Sequence, residues 1–151
     1  MAHVLRLRDA HRAEAPALEA LQRRASDVWE AYRQQLAANP DAIELPATFI
    51  DNGWVRVAVD DTDTPIGFSV VVPTDWQVHE LDVLFSEHML CGVGRPLVED
   101  AAARASRQGA ECLEVTAGPA QAFYERVGFH LIGAAQTRVG PAVRMRRELP
   151  R

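Results

Sequence analysis

Residues 80–94 read Glu80-Leu-Asp-Val-Leu-Phe-Ser-Glu-His-Met-Leu-Cys-Gly-Val-Gly94, and an apolar helical pattern follows from Arg95. An apolar, strand-like run therefore leads through a glycine turn into a helix. Glycines let the backbone turn sharply, so that main-chain amides and the N-terminus of the helix can face one anion. A pyrophosphate group suits such a turn, but a tight structural turn would show the same pattern. The turn alone leaves both interpretations open.

A second motif, Phe123-Tyr-Glu-Arg-Val-Gly-Phe129, lies about thirty residues further along the chain. The apolar pattern predicts a short helix over residues 120–127, which the glycine of the motif would cap. Between the two motifs the pattern predicts a helix over residues 95–108, capped by Gly109, and a short buried strand over residues 112–115.

The rest of the chain follows from the same kinds of pattern. The remaining predicted elements are a strand over residues 3–8, a helical region over 16–39 that Ser26 could divide, a loop over 41–53, strands over 54–59, 66–72 and 78–85, and closing strands over 129–132 and 142–149. The order β-αα-βββ-α-β-α-ββ predicts an α/β architecture with a mixed sheet.

The composition is that of one ordinary globular domain spanning residues 1–151, with 48% apolar and 25% charged residues. A formal charge of −5 argues against general nucleic-acid binding, which needs a basic surface. Cys91 and Cys112 are too few for a disulfide framework and lack the spacing of a metal cluster. The charged start is unlike a signal peptide, and no stretch is long enough to span a membrane. We therefore expect a cytoplasmic protein without a metal, nucleic-acid or membrane partner.

Taken in order, the motifs resemble the GNAT superfamily, the acetyl-CoA-dependent N-acetyltransferases. The segments that carry the resemblance are LDVLFS (81–86), MLCGVG (89–94), PLVEDAAARA (96–105), ECLEV (111–115) and AFYERVGF (122–129). The conjunction of the glycine turn with FYERVGF is the most specific part. The resemblance implies a mostly antiparallel central sheet flanked by helices. It also implies transfer of an acetyl or other short acyl group from acyl-CoA to a primary amine of a small molecule or peptide, by direct attack in a ternary complex.

The resemblance further implies where the co-substrate, acetyl-CoA, binds. The main chain around Leu84, Phe85 and Ser86 would run beside the pantetheine arm, at a bulge where strands splay apart. The amides of the turn would hold the pyrophosphate, and the turn comprises Met89, Leu90, Cys91, Gly92, Val93, Gly94 and Arg95. Met89 and Leu90 replace side-chain donors that are usual in the family, which leaves the binding to the amides and Arg95.

Two side chains are candidates for the chemistry. Tyr124 stands where relatives place a tyrosine near the thioester sulfur, and its phenol could protonate the leaving thiolate. A core aromatic with a hydrogen-bonded tip is the alternative interpretation. Glu80 stands near the position of a general base in several relatives, since a protonated amine must lose a proton before it attacks. Regular strand alternation would place Asp82, the second candidate, on the same face, and His79 on the other.

The acceptor side is less defined. The resemblance places the helices that carry Trp29 and Tyr32 beside the acceptor, together with Glu80, although such aromatics are more often in a core. The arginines of the last strand, at 144, 146 and 147, are most simply a solvated face.

Two features of these motifs leave alternative interpretations open. Cys91 at a helix N-terminus could be a reactive thiol or an ordinary turn residue. The chain could also be a degenerate fold that binds acyl-CoA as a sensor or interaction module, an alternative that Met89 and Leu90 motivate. Homodimers are common in the family, and the sequence neither selects nor excludes one.

Overall fold

The computed structural model describes residues 6–26, 38, 44–75, 77–86, 94–118, 120–137 and 140–150, and for residues 25, 26 and 82–86 it describes the backbone alone. The elements of this part are β1 (Arg6–Asp9), a 3₁₀ turn (Arg12–Glu14), α1 (Ala15–Ser26), α2 (Ala47–Asp51), β2 (Val55–Val59), β3 (Pro65–Pro73), β4 (Val78–Ser86), α3 (Gly94–Arg107), β5 (Cys112–Ala117), α4 (Gln121–Arg126), β6 (His130–Thr137) and β7 (Gly140–Glu148).

The strands form one seven-stranded sheet in the order β1-β2-β3-β4-β5-β7-β6. Every neighbouring pair is antiparallel except β4 and β5, which run parallel. A parallel pair needs a crossover connection, and α3 is the helix between these two strands. The prediction of a mixed, mostly antiparallel sheet flanked by helices is confirmed.

Strand alternation divides the buried residues into two cores, one on each face of the sheet. On one face, the α1 face, Leu18 and Leu21 of α1 are fully buried against a set of strand residues, namely Val55, Val57, Val59, Phe68 and Val70. On the opposite face, the α3 face, Leu97 and Val98 of α3 pack on another set, namely Ala58, Val71, Leu81, Leu113 and Val115. Both faces of the sheet centre are therefore covered by helices. None of the helices described is long and apolar enough to span a membrane.

The end of α3 shows why the sequence predicted it well. Gly109 has a φ of 91°, the left-handed conformation that glycine adopts readily. The amide of Ala110 donates to the carbonyl of Ala105 at 3.0 Å, and that of Gly109 donates to the carbonyl of Ser106 at 3.0 Å. This pair of hydrogen bonds is a Schellman motif, which satisfies the last carbonyls of a helix. The predicted cap at Gly109 is confirmed.

The loop predicted over residues 41–53 is wrong in part, because α2 occupies its second half. Pro46 precedes the helix with an extended backbone, at φ −61° and ψ 137°. Phe49 packs against Trp54, with ring centroids 5.4 Å apart, and both belong to the edge of the α1-face core. A five-residue helix that is fixed by such tertiary packing leaves little periodicity in the sequence.

The closing strands are longer than the sequence predicted. β6 continues to Thr137 and pairs with β7 along a hairpin that starts at Gly140. Residues 133–135 of β6 are all small and show no alternation of apolar and polar side chains, so the sequence pattern predicted too early an end for this strand. The predicted helical region beyond Ser26, which includes Trp29 and Tyr32, lies outside the described residues apart from Ala38.

His79 is a buried ionisable residue near the start of β4. Its side chain is 3% exposed, and its Nδ1 has no hydrogen-bond partner in the described part of the chain. Alternation places it on the α3 face with Leu81, away from Glu80, as predicted. Burial disfavours the charged imidazolium and lowers the pKa of His79, and the negative charge of Asp75 offsets only part of this effect.

We predict that His79 makes the fold sensitive to acid. The lowered pKa means that the unfolded chain binds a proton more readily than the folded one, so stability is lost as the pH falls below about 6.5, the ordinary value for histidine. Urea unfolding at pH 7.5 and pH 5 should show a smaller loss of stability for His79→Gln than for the wild type. The exposed His130→Gln is the control and should keep the wild-type pH dependence. An equal loss in wild type and His79→Gln would contradict the prediction.

Candidate functional site

β4 and β5 run side by side at their N-terminal ends and then separate. Residues 78–81 of β4 pair with residues 112–115 of β5, and beyond these no pairing joins the two strands within the described part. On its other side β4 stays paired with β3 as far as Ser86. We call the opening between residues 82–86 and the end of β5 the β4–β5 cleft. The main-chain groups of β4 that face it can bind an extended ligand.

A β-bulge stands at the start of this cleft. The register of β4 against β3 shifts between Val70 and Val71, whose partners are Val83 and Leu81. Asp82 is therefore an extra residue on β4, and such a bulge bends the strand and re-aims its side chains. The bulge lies just before the stretch that the resemblance assigns to the pantetheine arm. It also removes the regular alternation on which the expected shared face of Glu80 and Asp82 depended.

The N-terminus of α3 lies at the same end of the sheet. The helix begins at Gly94, and its first turn contains no acidic residue. Arg95 beside it is exposed and reaches the carbonyl of Arg126 at 3.5 Å. Free amides and the helix dipole favour an anion at such an end. Pro96 has no amide to donate, but it lies in the first turn, where amides have no partner within the helix.

Gly94 brings the two sequence motifs into contact. A Cβ atom on Gly94 would lie 2.9 Å from Cζ of Phe123, closer than side-chain atoms normally approach. Glycine therefore lets α3 start where it does against α4 without displacing this ring. Gly94, the last glycine of the turn, and Phe123 of FYERVGF are thus in contact at the start of α3.

The FYERVGF motif is itself a helix cap. Gly128 has a φ of 98°, and its amide donates to the carbonyl of Glu125 at 3.2 Å, while the amide of Phe129 donates to that of Tyr124 at 3.0 Å. These bonds make a second Schellman motif, whose usual apolar contact is here between the rings of Tyr124 and Phe129, with centroids 5.4 Å apart. The cap predicted at Gly128 is confirmed.

Tyr124 is 6% exposed and packs in the α3-face core, with its ring also 5.3 Å from that of Phe123. The ring of Tyr124 is therefore fixed beside the start of α3. Its packing in the core agrees with the interpretation of Tyr124 as a core aromatic. A buried phenol held in one orientation is also what a proton donor requires.

Glu80 lies on the α1 face, opposite Val72 of β3, and is held by an arginine from β7. Nη1 of Arg144 donates to Oε1 of Glu80 at 2.6 Å, and Nη2 donates to Oε2 at 2.8 Å. Nη2 also donates to Glu114 at 2.8 Å, and Nη1 to the hydroxyl of Thr116 at 2.6 Å. Arg146 completes the group with two bonds to Glu114, at 2.9 and 2.6 Å. We call these five side chains the Arg144 network.

The charges of the network stabilise one another. The hydrogen bonds that Arg144 donates to Glu80 are the largest cause of its raised pKa. Burial would raise the pKa of Glu114, but the hydrogen bonds from Arg146 and Arg144 outweigh it and lower that pKa below its ordinary value. The network therefore holds two carboxylates in place on the α1 face.

The expectation of a solvated arginine face was wrong for these residues. Arg144 and Arg146 bind the carboxylates of the network, and Arg147, on the opposite face of β7, pairs with Glu99 of α3 at 2.9 Å. The sequence analysis also missed Glu114. The available signal was a single charged residue inside an otherwise apolar strand, since Glu114 stands between Leu113 and Val115.

Several predicted site residues cannot be placed in this geometry. For Leu84, Phe85 and Ser86 the structure describes the backbone alone, which lines the cleft. The residues that lie outside the described part are Trp29, Tyr32, Met89, Leu90, Cys91, Gly92 and Val93. Within that part, no group of three or more His, Cys, Asp or Glu residues is placed to hold a metal ion.

Comparison with known proteins gives a family match and many similar structures. The family model for the acetyltransferase (GNAT) domain matches residues 51–131, more than half of the chain. A comparison with proteins of curated function finds no significant match.

Three solved structures illustrate the likeness. A GCN5-related N-acetyltransferase from Rhodopseudomonas palustris superposes with a TM-score of 0.79 over 99% of both chains, at 19% identity. The PaiA N-acetyltransferase from Thermoplasma acidophilum, solved with coenzyme A, has a TM-score of 0.71 at 15% identity, over 98% of this chain and 99% of its own. Nourseothricin acetyltransferase is 28% identical with a TM-score of 0.58, over 64% of this chain and 65% of its own, less than two thirds of either.

We predict that Gly94→Ala destabilises the fold by about 1–3 kcal/mol, because the added methyl group displaces the ring of Phe123. The better helix propensity of alanine, about 1 kcal/mol at most, opposes this effect. Urea unfolding measures the change, and Gly133→Ala is the control, since a Cβ there meets nothing within 4 Å. In a Phe123→Leu background the cost of Gly94→Ala should shrink. Equal costs in both backgrounds would show that the contact does not constrain the site.

Proposed function

The chain belongs to the GNAT acetyltransferase family, and from this we propose that it transfers an acetyl or other short acyl group from acyl-CoA to a primary amine. The observation that carries the proposal is the convergence of three features at one end of the sheet. These are the β4–β5 cleft, the N-terminus of α3 and the buried phenol of Tyr124, tied together by the contact between Gly94 and Phe123.

The chemistry of these features suits an acyl-CoA. The pantetheine arm carries amides that need hydrogen-bond partners, and the main chain of residues 82–86 has an open side within the described part. The pyrophosphate is an anion, and a helix N-terminus without acidic residues beside Arg95 favours one. PaiA from Thermoplasma acidophilum, similar in fold, was solved with coenzyme A, which supports the same class of co-substrate here.

The proposed reaction is direct attack in a ternary complex. The free amine of the acceptor attacks the thioester carbonyl, the C–N bond forms and the C–S bond breaks. Glu80 accepts the proton that the amine loses, through a water molecule, and Tyr124 donates a proton to the leaving thiolate. Asp82 stays the second candidate for the base. The acceptor is an amine of a small molecule or peptide, and a cytoplasmic location and a homodimer stay predictions from the sequence.

Acetyl-CoA should bind the wild-type protein saturably in a calorimetric titration. Gly92→Glu should abolish this binding, because it adds bulk and negative charge to the predicted phosphate turn. The matched control is Gly133→Glu, which makes the same change at an exposed site of β6 and should bind as the wild type does. No binding by the wild type at millimolar acetyl-CoA would overturn the proposal, and binding without turnover on a broad amine panel would favour the sensor alternative.

Tyr124→Phe should lower kcat by about 100-fold for an amine found in that panel, because it removes the proton donor. The phenylalanine ring keeps the packing against Phe129, so the affinity for acetyl-CoA should change little. An unchanged kcat would show that Tyr124 is a core aromatic without a part in the chemistry.

A further inference from the structure

We propose that Arg144 is the positioning residue of the acceptor site: it holds the carboxylate of Glu80 in one orientation beside the β4–β5 cleft and offsets the charge of Glu114 next to it. The inference rests on the proposed function, in which Glu80 accepts the proton of the amine. It follows from the hydrogen bonds, the strand register and the charges of the Arg144 network.

The register of β4 and β5 places two carboxylates side by side, and Arg144 lies between them. Glu80 and Glu114 are direct partners on the parallel strands β4 and β5. Two carboxylates placed side by side repel each other, and a proton on one of them relieves the repulsion. A cation between the two carboxylates offsets this repulsion.

Arg144 occupies the position that this requires. Its Cα partner on β5 is Thr116, one residue beyond the last pairing of β5 with β4, so its side chain crosses β5 at the start of the cleft to reach Glu80. The four hydrogen bonds from its two Nη atoms end on Glu80, Glu114 and Thr116. A guanidinium with this many acceptors is fixed, and it fixes the carboxylates in turn.

The hydrogen bonds from Arg144 leave lone pairs on both carboxylate oxygens of Glu80. Each carboxylate oxygen has two lone pairs, and Arg144 takes one on each oxygen. The side chain of Glu80 is 17% exposed, so it is not sealed from solvent. The remaining lone pairs can accept a proton from a water molecule at the acceptor.

Other charges surround the network but do not replace Arg144. Arg146 bonds to Glu114 and not to Glu80. Within the described residues, other ionisable groups on the elements around the network are His130 on β6, Cys112 on β5, Glu148 on β7, and Glu19, Arg23 and Arg24 on α1. Glu19 accepts a hydrogen bond from the amide of Leu45 at 2.7 Å, outside the Arg144 network.

The pH dependence of turnover tests the proposal. In Arg144→Gln the acid limb of the kcat/KM profile should move to higher pH by at least about one unit, so that activity at pH 6 falls about tenfold relative to wild type and recovers toward pH 9. Arg144→Lys restores one charge without the fork and should lie between the two. Arg147→Gln is the matched control, because it removes an arginine of the same strand from the opposite face, and its profile should match the wild type. A uniform loss of activity without a shift of the limb would overturn the inference.

A second measurement needs no substrate. The side-chain carboxyl signals of ¹³C-labelled glutamate, assigned with Glu80→Gln and Glu114→Gln, report proton binding by the pair directly. In Arg144→Gln the pair should bind a proton at a pH at least about one unit higher than in wild type, and in Arg147→Gln at the wild-type pH. Unchanged midpoints would overturn the inference even in an active enzyme. Shifted midpoints in a protein that acetylates no amine would instead overturn the proposed function and leave the electrostatic role of Arg144 standing.

Discussion

The missing side chain of Gly94 is the constraint on which the geometry of the site depends. It lets the start of α3 meet the ring of Phe123, and thereby sets the position of a helix N-terminus against α4. The Schellman motif at the other end of α4 fixes Tyr124 against Phe129. The amides at the start of α3 and the phenol of Tyr124 are thus held at one end of the sheet by packing. Two motifs that look independent in the sequence form one packed unit in the fold.

The features that could be predicted from the sequence are those that depend on local interactions. The caps at Gly109 and Gly128 require a left-handed backbone conformation at one position, and a glycine in the sequence indicates that position directly. The order of strands and helices follows from periodicity, which each element shows by itself. The five-residue α2 had no such signal, because packing of Phe49 against Trp54 holds it.

The Arg144 network could not be predicted, because it depends on strand order and register. Glu80 and Arg144 are 64 residues apart and meet across β5. Nothing local in the last strand says that β7, and not β6, lies next to β5, or which of its arginines faces Glu114. The bulge at Asp82 is equally hidden, since one extra residue changes the face of every side chain after it without changing the apolar pattern before it. The expectation that Glu80 and Asp82 share one face therefore rested on a regularity that β4 does not have.

The sheet separates the two groups that the proposed reaction needs. Tyr124 packs in the core of the α3 face, whereas Glu80 and its arginine lie on the α1 face. While β4 and β5 are paired, their backbones and the side chains of Leu81 and Val115 close the space between the faces. The pairing ends immediately after these two residues, so within the described part the β4–β5 cleft is where one bound ligand can approach both faces. In the proposed reaction, an acid on one face of the sheet and a base on the other act on a single thioester. This is possible because the pairing of β4 with β5 ends there.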